Sequence, residues 1–119
     1  MFNINHTNET ITVSKKLNDI KLAIAELSII PDNSLVDNMD GTWFYFNRLN
    51  VPLEFRNQGI ASQMVDIITG ICDKNKYNIW LDINPYGEMN YFQLKIFYIK
   101  NGFRKHKNSL IRMFVDIGD

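Results

Sequence analysis

Cysteine is nearly missing from this chain: Cys72 is the single thiol in 119 residues, which excludes an internal disulfide and leaves no second cysteine for a zinc knuckle. Such a sequence suits a reducing, cytoplasmic setting. Histidine is scarce too. His6, in an N-terminal stretch expected to fray, and His106, in an expected turn between Lys105 and Lys107, both lack a carboxylate or cysteine neighbour at metal or nucleophile spacing. No metal is expected. Charge of neither sign is in excess, because 13 basic and 13 acidic side chains cancel. That removes the general electrostatic argument for binding nucleic acid or an anionic lipid surface. Long apolar runs are lacking, so no membrane span is expected, and the first ten residues have neither the basic start nor the apolar run of a secretory leader.

What remains is an ordinary globular composition, 45% hydrophobic and 22% charged, with length enough for one core and a single domain over residues 1–119. Ile11 and Val13 alternate with Thr10, Thr12 and Ser14, which predicts a half-buried strand. Residues 20–30 fit a helix or a strand, and Ile29-Ile30-Pro31 with no preceding cap favours the strand. A polar loop with Asp32, Asp37 and Asp40 follows. Trp43-Phe44-Tyr45-Phe46, then Leu49 and Val51, predict a central strand buried on both faces. Ile60, Met64, Ile67, Ile68, Ile71 and Cys72 recur at helical spacing, with Lys74, Asn75 and Lys76 suited to the helix's C-terminal end. Cys72 falls on the apolar face and reads as core.

Ile79, Leu81 and Ile83 mark a short strand, and Asn90 with Gln93 would cap a helix that runs to Lys100 and stops at Asn101-Gly102. Ile111, Met113, Val115 and Ile117 would line one face of a last strand. Five strands and two helices in this order predict an α+β fold, a mixed sheet flanked by helices.

The chemical signal follows the central strand, in Val51-Pro52-Leu53-Glu54-Phe55-Arg56-Asn57-Gln58-Gly59-Ile60-Ala61-Ser62. A helix opening there offers unpaired amides and the positive end of its dipole, a natural anion site. Gly59 and Ala61 let a phosphate come close, and Arg56 can add a charged fork. The plainer reading is strain relief at Gly59 and a solvated Arg56. An Arg or Gln, then Gly, then Gly or Ala at this spacing arises by chance in roughly one chain in ten of this length, so the hexad alone decides little.

At these residues the sequence resembles the GNAT superfamily of acyl-CoA N-acyltransferases. The resemblance extends to Val51-Pro52 at the strand end, to the long apolar helix, and to Tyr98 four residues before Gly102-Phe103; it runs from about Trp43 to Val115. It implies a GNAT-like fold and acetyl-CoA as the acetyl donor. By position it implies that Leu49, Asn50 and Val51 present backbone groups to the pantetheine arm. Arg56, Asn57, Gln58, Gly59, Ile60, Ala61 and Ser62 would hold the pyrophosphate, and Tyr98 would be the acid that protonates the departing thiolate. Tyr98 also reads simply as a core aromatic with Phe97 and Phe103.

The chain departs from the family in two places. Tyr45 stands where the family often has a glutamate base, leaving Glu26 or Asp82 through a water, or no base at all. Tyr91 stands where an asparagine would contact the cofactor, with Asn90 one place early. Only residues 15–19 separate the first two predicted strands, where the family usually inserts two helices that wall the acceptor site. Small phage and bacterial members have this reduced form. An open groove favours a lysine or N-terminus on another protein as acceptor; a polyamine or aminoglycoside, or a docking module without catalysis, is the alternative. A homodimer is compatible with the sequence.

Overall fold

The computed structural model describes residues 1–31, 40–83 and 91–116. Its strands are β1 (Phe2–His6), β2 (Thr10–Lys16), β3 (Leu22–Ile29), β4 (Thr42–Asn50), β5 (Tyr77–Leu81), β6 (Arg104–His106) and β7 (Ser109–Arg112). A 3-10 turn (Leu53–Phe55) and the helix α1 (Ile60–Asn75) separate β4 from β5, and α2 (Tyr91–Lys100) precedes β6. One sheet holds all seven strands in the order β1-β2-β3-β4-β5-β7-β6. Every pairing is antiparallel except β4 with β5, which are parallel because α1 carries the chain back across the sheet.

Local chemistry sets the N-terminal meander. Thr7 Oγ1 accepts the Glu9 and Thr10 amides in the first turn, and Asn18 Oδ1 accepts those of Ile20 and Lys21 in the second. The second turn occupies only the residues between Lys16 and Leu22, so no helix intervenes between β2 and β3. Alternation along the strands then divides the core. Ile11, Val13, Ala23, Ala25, Leu27 and Phe44 cluster with Ile60, Met64, Val65, Ile68 and Cys72 of α1. Trp43, Ile30 and Ile111 form a second cluster with Tyr45 and Trp80. Cys72 is fully buried, and burial pushes its thiol up to about 12, which makes it core rather than nucleophile.

Several expectations need correction. The N-terminus does not fray: β1 pairs with β2 from Phe2↔Lys15 to His6↔Ile11, and the His6 ring meets Tyr77 edge-on at 5.7 Å. Phe2 and Ile4 alternate with Asn3 and Asn5 at the period of a strand, a pattern too short to stand out beside the polar residues that follow. The polar strand β6 was hidden likewise, and His106 lies at its end against Trp80 rather than in a turn, which falls on Lys107 at φ 55. The last strand stops at Arg112, so Met113 and Val115 are exposed beyond it, and Ile117 lies outside the described residues. Ile83 likewise lies past the end of β5. β4 is central, yet only its first half is enclosed; Asn47 and Arg48 are exposed.

Candidate active site

The parallel pairing of β4 with β5 runs from Thr42↔Tyr77 to Tyr45↔Trp80 and then ends. β4 continues to Asn50 paired with β3, and among the described residues its β5-facing backbone groups beyond Tyr45 meet no strand. A bulge contributes: Glu26 pairs Arg48 and Leu27 pairs Phe46, which leaves Asn47 as an extra residue on β4 and bends it there. Where the strands part, a cleft of about 530 Å³ opens. The second half of β4, the start of α1, Asp82 and one side of α2 line it.

Past β4 the chain turns sharply. The 3-10 turn closes through the Phe55 amide on the Pro52 carbonyl (2.9 Å), and Asn57 (φ 65) and Gly59 (φ 80) are left-handed. Gly59 suits that conformation because it has no Cβ. The first bond of α1 is Gln63 N–H to the Gly59 carbonyl at 3.0 Å, so the amides of Gly59, Ile60, Ala61 and Ser62 find no acceptor within the helix. Among the described residues no side chain caps the helix start, and the first turn carries no acidic residue. A Cβ on Gly59 would find nothing within 4 Å. Arg56 Nε donates to the Val51 carbonyl at 2.8 Å, which ties the loop to the strand end and spends one of its five N–H donors. Lys21 pairs with Glu54, joining the β2–β3 turn to the 3-10 turn, and its hydrogen bond holds the Glu54 carboxyl below the usual range.

Leu49, Asn50, Val51, Arg56, Asn57, Gly59, Ile60, Ala61 and Ser62 therefore line one cleft, together with Tyr98. Gln58 belongs to the same loop without lining the cleft, and Asn90 lies outside the described residues. Tyr98 meets both of its sequence readings at once. It is 6% exposed, its ring packs on Phe46, Phe97 and Phe103 at 6.1, 5.1 and 5.5 Å, and it still borders the cleft. Gly102 (φ 96) ends α2, and the Asn101 and Phe103 amides both donate to the Tyr98 carbonyl, which fixes this residue at the helix end.

Of the two carboxylates weighed as bases, Glu26 is taken by Arg48 at 2.7 Å and does not reach the cleft. Asp82 does. Tyr45 donates to its Oδ2 at 3.0 Å and Ser109 donates to its Oδ1. Burial, and then the hydrogen bond to Asp82, raise the Tyr45 hydroxyl above its ordinary pKa. Nothing in the sequence brings Ser109 to Asp82, because the contact needs β7 to pair with β5. Among the described residues no group of histidine, cysteine, aspartate and glutamate is arranged to hold a metal ion.

A mixed sheet whose single parallel pair splays beside a helix start defines an α+β fold. At the level of sequence the chain matches no family model and no curated protein. Solved structures do match. The chain is similar to the anti-CRISPR protein AcrVA5 (18% identity, TM-score 0.59, 84% of this chain and 96% of that one). It is similar to the PaiA N-acetyltransferase of Thermoplasma acidophilum in complex with coenzyme A (16%, TM-score 0.56), with 89% of this chain on 62% of that one. The NatC complex bound to Gag peptide and CoA matches at 19% identity and TM-score 0.63, over 89% of this chain and 71% of that one. The fold is the GNAT fold.

Proposed function

We propose that the chain is an N-acetyltransferase that moves an acetyl group from acetyl-CoA to an amine on another protein. One observation carries this reading: an unpaired strand edge and an uncapped helix start face the same cleft. The two features want different parts of one ligand. Amides along a pantetheine arm can pair with backbone groups of Leu49, Asn50 and Val51 as an added strand would. A pyrophosphate can take the amides from Gly59 to Ser62, in the loop shaped by Arg56, Asn57 and Gln58. When bound, the thioester supplies an acetyl group activated toward nitrogen nucleophiles. The chain's own part is to align it, to exclude water with Phe46, Leu94 and Phe97, and to offer the Tyr98 hydroxyl as proton donor to sulfur as the C–S bond breaks.

The coenzyme A and the peptide in the matched structures support this reading. The short β2–β3 turn supports a large acceptor, since among the described residues no helix is inserted between these strands to wall the groove. A polyamine pocket would want several converging carboxylates, whereas Asp82 is the one acidic lining residue among those described. Calorimetric titration with acetyl-CoA and CoA tests the proposal, with Gly59→Glu as control. Micromolar binding in the parent and a loss of at least a hundredfold in the variant are expected, because a carboxylate would stand among the phosphate-binding amides. Absence of binding to the parent would leave a GNAT fold without its cofactor and favour a docking role.

A further inference from the structure

We infer that the outer face of α2 is a docking seam for a helix of another protein, and that the helix it takes carries an apolar stripe bordered by acidic residues. The inference does not depend on the acyl-transfer reading, because it concerns the side of α2 turned away from the cleft. Leu94, Phe97 and Tyr98 form the inner side, where they pack on the core and line the cleft. Phe92, Ile96 and Ile99 form the outer side, and they are 71%, 59% and 46% exposed. A helix that is apolar on both sides belongs between two neighbours. The sheet supplies one of them.

Spacing and charge define the other. From Phe92 to Ile96 is four residues and from Ile96 to Ile99 is three, the alternation by which helices pair along a seam. At 100° per residue Lys95 falls along one border of that stripe and Lys100 along the other, the positions whose charges choose a partner. Among the described residues neither lysine belongs to an ion pair, and from Tyr91 to Val115 the sequence holds no acidic residue. A second copy of α2 is therefore a poor occupant. In a parallel pair Lys95 would face Lys100 of the copy, and in an antiparallel pair each lysine would face its own equivalent. A helix with glutamates along its borders meets both lysines favourably. Three side chains in line also make a narrow stripe, which suits a helix better than the broad apolar face that sinks into a lipid surface.

Two designed peptides test this without knowledge of the natural partner. Each is a helix of roughly three heptads with leucine along the seam; one carries glutamate and the other lysine at the bordering positions. Fluorescence anisotropy at low salt should show the glutamate peptide binding the full chain with Kd on the order of 10 μM, and the lysine peptide roughly tenfold more weakly, because two charge pairs change sign. Lys95→Glu combined with Lys100→Glu should reverse that preference, and Ile96→Asp should abolish binding of both peptides. Thermal unfolding close to the parent's shows that each variant is folded. Failure of the glutamate peptide to bind the parent, equal affinity for the two peptides, or a preference that survives the charge reversal overturns the inference. A parent dimer in sedimentation velocity that Ile96→Asp dissociates overturns it in favour of a second copy. Binding to phosphatidylserine vesicles that Ile96→Asp abolishes overturns it in favour of a lipid surface.

Discussion

At its N-terminal end α1 presents four amides that no side chain among the described residues caps, while at its C-terminal end, sixteen residues on, the chain ties down almost every group it has. Lys76 turns left-handed and sends its amide back to the Asp73 and Cys72 carbonyls; Asn75 Nδ2 takes the Ile71 carbonyl at 2.8 Å. Asp73 receives both Arg112 terminal nitrogens, at 2.8 and 2.9 Å, and the Val115 amide at 2.8 Å. The same helix obeys the rule of satisfied polar groups at one end and departs from it at the other. Since unmet donors cost stability, the open end makes sense as a binding surface and the closed end as an anchor.

The largest expected effect comes from breaking the closed end. The Arg112–Asp73 side chains are only 11% and 14% exposed, so this pair is not a solvated surface bridge. Arg112→Ala would leave Asp73 charged and short of partners, at a cost of about 3 kcal/mol. Thermal unfolding should fall by roughly 10 °C, and CoA affinity should not change. A parallel loss of affinity would show that the two ends are not independent. The same pair predicts a pH dependence. Arg112's hydrogen bond, chiefly, holds the Asp73 carboxyl below the usual carboxylate range. Its stabilisation is therefore complete above the unfolded value of about 3.9 and is lost as pH falls through the lower folded value. The stability gap between parent and Arg112→Ala, followed by denaturant titration, should close as the pH is taken well below 4.

A smaller change at the open end should have the opposite profile. Gly59→Ala places a Cβ on a residue at φ 80 with open space around it, so the cost is conformational alone, about 1–2 kcal/mol. Relief of that strain would turn the amides of Ile60, Ala61 and Ser62, and CoA affinity should fall more than stability does. If affinity holds while stability falls, the helix start is not where the anion sits.

The two ends also differ in how far they could be read from the sequence. The open end was legible, because Gly59, Ala61 and Arg56 behind a buried strand are unusual choices with a shared physical purpose. The closed end was only half legible. Lys74, Asn75 and Lys76 signalled a helix terminus, yet Arg112 lies far along the chain and reaches Asp73 only through sheet pairing. Asp82 with Ser109 escaped for the same reason. β1 and β6 are the two edge strands: Arg104–His106 carries no apolar residue at all, and Phe2 and Ile4 alternate over only one short segment that is mostly solvent-exposed. The strand β4 was recognised by its aromatic first half, while the bulge at Asn47 that opens the cleft has no signature in residue type.

The smallest expected effect concerns the position that closes the helix. Asparagine tolerates left-handed geometry better than lysine, but Asn75 stays helical and the left-handed geometry falls on Lys76, at φ 60 and ψ 46. A lysine pays for its Cβ there, about 1 kcal/mol, and part of that returns through the attraction of its charge to the helix's negative end, about 0.3–1 kcal/mol. Glycine would remove the first term, lose the second and add flexibility to the unfolded chain. Lys76→Gly should therefore raise stability by no more than about 0.5 kcal/mol, and Lys76→Asn should do about as well. Denaturant titration resolves the sign. A clear loss of stability would mean that the lysine's charge, rather than its backbone geometry, serves the closed end, and CoA affinity should stay constant in either case.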